Sequence, residues 1–512
     1  MQNRKYKRMA KNAMMLYFRM LLTMAVSLYT SRVILQTLGV DDFGIYNVVA
    51  GFVTMLGFLH GAMSSATQRF LAFELGKSED KDVRSIFSMS MNIHVSIALF
   101  VLLIGETVGL WFVQTHLTIP ADRVYAAEWV FHLALFSFMI TIVSVPYNAL
   151  IIAHERMSVF AWVSIIDVML KLLIVFILGS MKIDKLILYG SLSLVVSFII
   201  CAIYATYCTK IFSESKFRIY WDQKLFRIML SYTGWNLWGN IAAVISGQGI
   251  NILLNIFFGP SVNAARAIAM LVSSALNNFV QSLQVAINPQ IIKSYASQDM
   301  AYMHKLVCYG AKYNFFLLFF LSMPVIINTD VILNSWLGST PEYTSIFVRL
   351  IIANILVDCI SAPLMTSVQA TGKIKLYQSI VGGVLLLNLP LSYFILKTGG
   401  QPQTVIYVGI TISVVAFLVR LVILKKITFL PVVEYLREVV LRSVLIIIAV
   451  IALYYATIYF LFDTLGFWCG STLISIYCLL AITSLGLEPV EREFIFKKLK
   501  FILFTLSHRN GC

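Results

Sequence analysis

Charge is what this chain has least of. Only 12% of its 512 residues are Asp, Glu, Lys or Arg, whereas 59% are hydrophobic, and its mean hydropathy is +0.85. A soluble domain carries about 25% charged residues, so a water-soluble fold is excluded and lipid must serve as solvent for most of the surface. The seven cysteines form no CxxC pair and fall mostly inside apolar runs, which leaves no basis for a disulfide framework, a metal site or any cofactor. The histidines His60, His94 and His132 stand singly, and no Ser/His/Asp constellation accompanies them, so an enzyme is not expected. No cleavable signal peptide is visible. The segment after Arg4-Lys5-Tyr6-Lys7-Arg8 runs to about Leu38 and carries Arg19 and Arg32, too long and too polar for a signal core.

Apolar runs of about 20 residues recur, the length needed to cross about 30 Å of hydrocarbon. In that medium every backbone N–H and C=O needs an internal partner, and these runs are too uniformly apolar for the alternating strands of a barrel. The expected fold is therefore all-α and integral to the membrane. It has about fourteen transmembrane helices, at 12–38, 43–66, 86–112, 126–150, 158–180, 185–208, 228–258, 262–288, 306–328, 344–369, 375–396, 403–424, 439–461 and 466–487.

Acidic residues number 24 against 39 basic ones, a net charge of +15. In a soluble protein that excess would suggest nucleic acid; here it reports topology, and no nucleic-acid partner is expected. With the N-terminus in the cytoplasm, inside segments hold 29 basic residues and outside loops only Arg123, Lys182, Lys185 and Lys397, which implies N-in, C-in and an even number of spans. The outside loops are too short for an external domain. Residues 210–224, basic with Phe217, Tyr220 and Trp221 interleaved, read as an interfacial helix. The tail Lys497-Lys498-Leu499-Lys500 reads as an anchor at anionic membrane lipid.

The halves resemble each other at a near-constant offset. Leu38-Gly39-Val40-Asp41-Asp42 matches Phe258-Gly259-Pro260-Ser261-Val262, and Gln68-Arg69 matches Asn288-Pro289, both at 220. Ser144-Val145-Pro146-Tyr147 matches Ser361-Ala362-Pro363-Leu364 at 217, and Ala153-His154-Glu155-Arg156 then falls on Ala370-Thr371-Gly372-Lys373. Two six-helix repeats that both start inside are parallel, related by an axis along the membrane normal, and such bundles suit alternating access. The resulting domains are an N-terminal lobe at 1–208, a cytoplasmic linker at 209–227, a C-terminal lobe at 228–425, and two added spans with a basic tail at 426–512.

Ionisable residues inside a span cost about 2.5–3.5 kcal/mol each on insertion scales and mark functional sites. The first span carries Arg19 and Arg32 with no carboxylate of its own, and Arg266 lies near the outer end of the eighth. Such a basic cavity suits a phosphate or pyrophosphate, which Arg contacts in a bidentate manner. Asp167 and Lys171 share one face of the fifth span, where they either neutralise each other or couple to an ion, and Asp358 is a further deep carboxylate. Spans seven and eight are rich in amides and indoles. Trp235, Asn236, Asn277, Gln281 and Gln284 are candidate contacts for sugar hydroxyls, with interhelical hydrogen bonding as the alternative role.

The stretch Arg32-Val33-Ile34-Leu35-Gln36-Thr37-Leu38-Gly39-Val40-Asp41-Asp42-Phe43-Gly44-Ile45-Tyr46 resembles the first inter-span junction of the polysaccharide transporter family. These are the Wzx-type flippases of the multidrug/oligosaccharidyl-lipid/polysaccharide exporter superfamily. Val145-Pro146 through Glu155-Arg156 and Asn263-Ala264-Ala265-Arg266 are similar to the same family. The resemblance implies fourteen helices in two lobes in the bacterial inner membrane. It implies an undecaprenyl-pyrophosphate-linked oligosaccharide, an O-antigen, capsule or exopolysaccharide unit, flipped to the periplasmic leaflet, with polysaccharide polymerase machinery as a further partner. By position the pyrophosphate would fall to Arg19, Arg32 and Arg266, although Gly239 and Ile252 stand at the second-half counterparts of the first two. One competing reading is a cation-coupled drug or metabolite antiporter of the same fold, dependent on Asp167 or Asp358. Another is a membrane glycosyltransferase, for which Asp41-Asp42 would stand in a loop of only about four residues, too short to house an acceptor.

Overall fold

The computed structural model describes the chain apart from residues 1, 39–41, 43–44, 47–48, 50–52, 54–56, 78–81, 117–119, 182, 217, 219, 259, 338–340, 462–466, 490 and 494–512. Within the first helix the side chains of residues 2–11, 13, 28, 31–32 and 35–36 are also outside the description. The Gly39–Asp41 turn and the basic tail fall outside it as well.

Among the described residues the chain is helical and has no strand. The elements are α1 (Gln2–Leu38), α2 (Gly57–Gly76), α3 (Val83–Ile104) running through a π turn into α4 (Leu110–His116), α5 (Val124–Ala153), α6 (Met157–Ser180), α7 (Lys185–Ile211), α8 (Gln223–Phe258), α9 (Pro260–Ala296) and α10 (Met300–Ile327). They continue as α11 (Thr329–Leu337), α12 (Thr344–Thr371), α13 (Ile374–Leu386), α14 (Asn388–Lys397), α15 (Thr404–Ile427), α16 (Val432–Tyr435), α17 (Arg442–Leu461) and α18 (Phe467–Ala481). Nine stretches of the described residues are long and apolar enough to cross a bilayer, which makes this a multi-pass membrane protein. The other expected spans fall on α1, α2, α8, α9 and α18. Those helices form as well, and among their described residues three carry shorter apolar stretches, Met14–Ser27 on α1, Gly249–Phe258 on α8 and Gly470–Gly486 starting on α18. Pro146, Pro324 and Pro363 sit inside unbroken helices. The span expected at 375–396 instead breaks at Leu387, because Pro390 has no N–H to give the Leu386 carbonyl.

The chain forms two compact units. The first comprises residues 1–247, 281–306 and 365–386, and the second residues 248–280, 307–364 and 387–512. In the first, α5 is central: Ala127, Val130, Phe131 and Leu135 are fully buried against Val49, Ala98 and Leu186. In the second, Phe315, Leu318 and Phe319 of α10 meet Phe347 and Ile352 of α12, with Ile446, Ile474 and Cys478 closing the core. Lys312, also on α10 and 1% exposed, binds both oxygens of Glu491 at 2.8 Å, and Tyr313 donates to the same carboxylate.

The linker differs from its expected helix. After α7 the chain makes one 3₁₀ turn, Ser213–Ser215, and its described residues then stay non-helical to Gln223. Side chains of α3 take its backbone groups: Arg84 Nε donates to the Lys216 carbonyl at 3.0 Å and Asn92 Nδ2 to that of Tyr220 at 2.8 Å. A carbonyl satisfied from outside has no need of a helical ladder.

The positions paired by the sequence offset behave alike. Glu155, after α5, has φ 59°, and Gly372, after α12, has φ 75°. The contacts at these turns are reciprocal. Arg69 of α2 donates from Nε and Nη2 to the carbonyls of Gln369 and Ala370 at 3.1 and 3.0 Å, covering the end of α12. Lys293 of α9 donates to Glu155 Oε1 at 2.6 Å, Gln290 donates to Oε2, and Asn12 of α1 donates to the Glu155 carbonyl at 3.2 Å. Gly76 lies against its own counterpart: a Cβ placed on it would stand 2.7 Å from the Cβ of Ala296, 220 positions on.

Candidate functional site

Arg19 of α1 lies half-buried against α6. Its guanidinium stacks over Phe160 at 4.8 Å, and Nη1 donates to Ser164 Oγ at 3.3 Å. Phe160 and Ser164 are one helical turn apart, and Ser164 itself donates to the Phe160 carbonyl at 2.8 Å. Nε of Arg19 is buried with no hydrogen-bond partner. Arg32 lies on the same helix, but its side chain is outside the described residues. In the second unit Arg266 of α9 is buried and Nη1 donates to Asn251 Oδ1 of α8. Among the described residues neither Arg19 nor Arg266 meets a carboxylate. Both cations are held by neutral groups only, an aromatic ring, a hydroxyl and an amide.

The carboxylates within spans are placed differently. Asp167 pairs with Lys171 on α6 at 2.8 Å, and the Lys171 side chain is 53% exposed, so the two charges neutralise each other on one helix. Asp358 of α12 accepts from Asn354 Nδ2 at 3.1 Å. It also faces α15, with Ser413 as a hydrogen-bond partner and Arg420 as a compensating charge.

The amide-rich helices divide into two groups. Asn236 is buried and accepts from Gln378 Nε2 of α13 at 3.3 Å. That contact needs Gly239, where a Cβ would collide with Gln378 Oε1. Trp235 lies under Lys375, whose Nζ is 5.4 Å from the indole centroid. Asn277 and Gln284 are part-buried and Gln281 is exposed on α9, and none of the three has a hydrogen-bond partner among the described residues. The structure therefore places Asn236 in an interhelical bond and leaves the α9 amides available.

The Glu155–Gln290–Lys293 cluster and the Lys312–Glu491 pair went unnoticed in the sequence, where Lys293 and Lys312 counted only as inside charge. Their partners lie 138 and 179 positions away, and no local spacing signals them. At the opposite helix ends Arg123 joins two carboxylates, Asp42 and Asp184, meeting Asp184 Oδ2 at 2.6 Å. The bond from Asp42 is the largest influence raising the Arg123 pKa above its ordinary value. Burial opposes ionisation of Asp184, but the N–H groups of Ile187 and Leu186 and the Arg123 guanidinium outweigh it and hold its pKa below the ordinary value.

No family model matches the chain, and no curated protein does. Solved structures share its fold. A multidrug resistance MATE family transporter of the MOP superfamily, in an outward-facing conformation, superposes with a TM-score of 0.69 at 11% identity, over 82% of this chain and 96% of that one. A MOP superfamily transporter from Pyrococcus furiosus, described as having a binding pocket of reverse polarity that suggests a different function, gives 0.67 at 12% identity over 81% and 96%. The MATE transporter ClbM in complex with Rb+ gives 0.68 at 13% identity over 81% and 94%. At these identities the likeness shows the fold: an all-helical membrane architecture of the MATE type.

Proposed function

We propose that this chain is a flippase that moves an anionic, lipid-linked oligosaccharide from the cytoplasmic to the periplasmic leaflet of a bacterial inner membrane by alternating access. The observation that carries the reading is the pair of uncompensated cations. Arg19 and Arg266 stand on helices of the membrane region with neutral partners only, at an insertion cost of about 2.5–3.5 kcal/mol each. A substrate phosphate supplies the missing counter-charge and offsets that cost on binding. Arg32, about 20 Å further along α1 than Arg19, would meet the pyrophosphate at another point of its path. The unpartnered amides Asn277, Gln281 and Gln284 suit sugar hydroxyls, with Trp235 as a stacking surface. The fold is shared by a transporter described by the reverse polarity of its pocket, which fits an anionic substrate on this scaffold.

A second reading is a cation-coupled drug or metabolite antiporter, and Asp358 favours it. A carboxylate inside α12 with Asn354, Ser413 and Arg420 around it is a group that could exchange a proton or metal cation. Neighbours of the fold include a multidrug resistance transporter and one complexed with Rb+.

One experiment separates the two. The purified chain is reconstituted in vesicles, and transbilayer movement of a fluorescent polyprenyl-diphosphate N-acetylglucosamine is followed by dithionite quenching. Loss of one Arg–phosphate contact should slow transport by about 10- to 100-fold in Arg19→Gln and in Arg266→Gln, while Asp358→Asn stays near wild type. Wild-type rates in both arginine variants, with cationic-dye efflux abolished by Asp358→Asn, would replace the flippase reading with the antiporter.

A further inference from the structure

A hollow of about 500 Å³ opens in the first unit where three segments distant in sequence meet. It is lined by Arg69 and Phe70 of α2, by Arg227, Ile228, Ser231, Tyr232 and Trp235 of α8, and by residues 371–375 at the turn from α12 to α13. Small-molecule sites occupy about 300–1,000 Å³, so its size is suitable. Its charge is of one sign. Arg69, Arg227, Lys373 and Lys375 line it, no Asp or Glu does, and none of the four pairs with a carboxylate among the described residues.

The positive-inside rule accounts for cations at this end of the helices, but a topological signal needs only their presence in the loops. It does not require three segments to bring them to one concave site. Arg69 is 7% exposed and fixed as a permanent charge at the floor, stacked on Phe70 and Phe73 at 4.7 Å and bonded to the end of α12. Lys375 reaches over Trp235, while Arg227 and Lys373 are exposed and able to close on a ligand. The Ser231 hydroxyl, also exposed, has no hydrogen-bond partner among the described residues. Like charges repel, and an anionic phosphate held among the four relieves that repulsion.

The surroundings identify the rest of the ligand. Along the same two helices Ile228, Leu230, Leu376 and Ile380 are 49, 43, 56 and 41% exposed, an apolar flank beside the cations. A soluble anion gains nothing from that flank, whereas a lipid lays its chain on it with its phosphate in the hollow. We propose that this hollow is a binding site for the phosphate ester of a lipid headgroup, on the face that the charge asymmetry assigns to the cytoplasm. The assignment does not depend on which substrate the protein transports. The phosphate could belong to bulk anionic phospholipid or to a diphosphate carrier lipid, and competition distinguishes the sources.

The test uses the full-length protein in phosphatidylcholine nanodiscs, titrated with geranyl diphosphate. The readout is the part of the tryptophan emission change that disappears in Trp235→Phe. The expected result is saturable binding, no response to geraniol, and an affinity weaker by about tenfold for each cation removed in Arg227→Gln and Lys373→Gln. The charge-preserving Arg227→Lys/Lys373→Arg protein should bind within a few-fold of wild type, which separates loss of charge from loss of fold. Phosphatidylglycerol in the nanodisc that competes with geranyl diphosphate identifies bulk lipid as the natural source; indifference to it identifies the diphosphate. Unchanged affinity in the Arg227→Gln/Lys373→Gln protein, or a full emission change in Trp235→Phe, overturns the proposal.

Discussion

Glu155 offers the sharpest test of the reciprocal junction, because two opposing energies meet in one residue. Its backbone is left-handed at φ 59°, which costs a residue bearing a Cβ about 1–2 kcal/mol. Its side chain is 4% exposed and holds Lys293, itself 23% exposed, together with Gln290. Breaking a fully buried pair costs about 3–5 kcal/mol. The partial exposure of Lys293 lets it turn to water, so the lower end applies. Glu155→Gly should relieve the strain and lose the bonds, a net destabilisation of about 1–2 kcal/mol from those two terms. Glu155→Gln keeps the strain, replaces a charge-assisted bond with a neutral one, and sets its NH2 against either Gln290 or Lys293, for about 2 kcal/mol. With Lys293→Met as the second arm, a double-mutant cycle in SDS unfolding, followed by tryptophan fluorescence, should give a coupling of about 1.5–3 kcal/mol. A coupling below about 0.5 kcal/mol, the ordinary additivity error, would mean that the ion pair contributes nothing to holding the α5–α6 turn against α9.

Two further outcomes follow from the same reasoning. Gly372→Ala should destabilise the protein by about 1–2 kcal/mol from φ alone, and by more in practice, since the new Cβ would stand 2.7 Å from Arg69 Nη2; thermal melts would show it, and a melt at the wild-type temperature would refute the cap. Asp184 ionises more readily in the folded protein than in the unfolded chain, so its contribution is complete above the unfolded value of about 3.9 and is lost as pH falls through the folded one. An acid-unfolding series should therefore separate wild type from Asp184→Asn at pH 6 and bring them together as pH falls past the lowered folded-state pKa, whereas parallel curves throughout would show that the Arg123 bond is energetically idle.

How much of this was legible in the sequence depended on whether the property was local or a sum. The choice of lipid as solvent, the helical secondary structure and the multi-pass architecture follow from composition and run length, because the cost of exposing apolar surface adds residue by residue. The offset between the halves was legible for a similar reason: Gly372 and the paired turn at 153–156 mark places where the backbone itself must change hand. The linker at 210–224 was misread because its amphipathic composition suits a helix, while its backbone bonds are claimed by Arg84 and Asn92 more than a hundred positions earlier. Only the tertiary structure decided which charges are neutralised and which are merely hydrogen-bonded: Lys312 meets Glu491 and Glu155 meets Lys293, whereas Arg69 keeps its charge and donates to carbonyls 300 positions away. Ion pairing in a low-dielectric interior is settled by distance in space, to which a linear sequence of charges is blind, and the same blindness hid the convergence of Arg69, Arg227, Lys373 and Lys375 on one hollow.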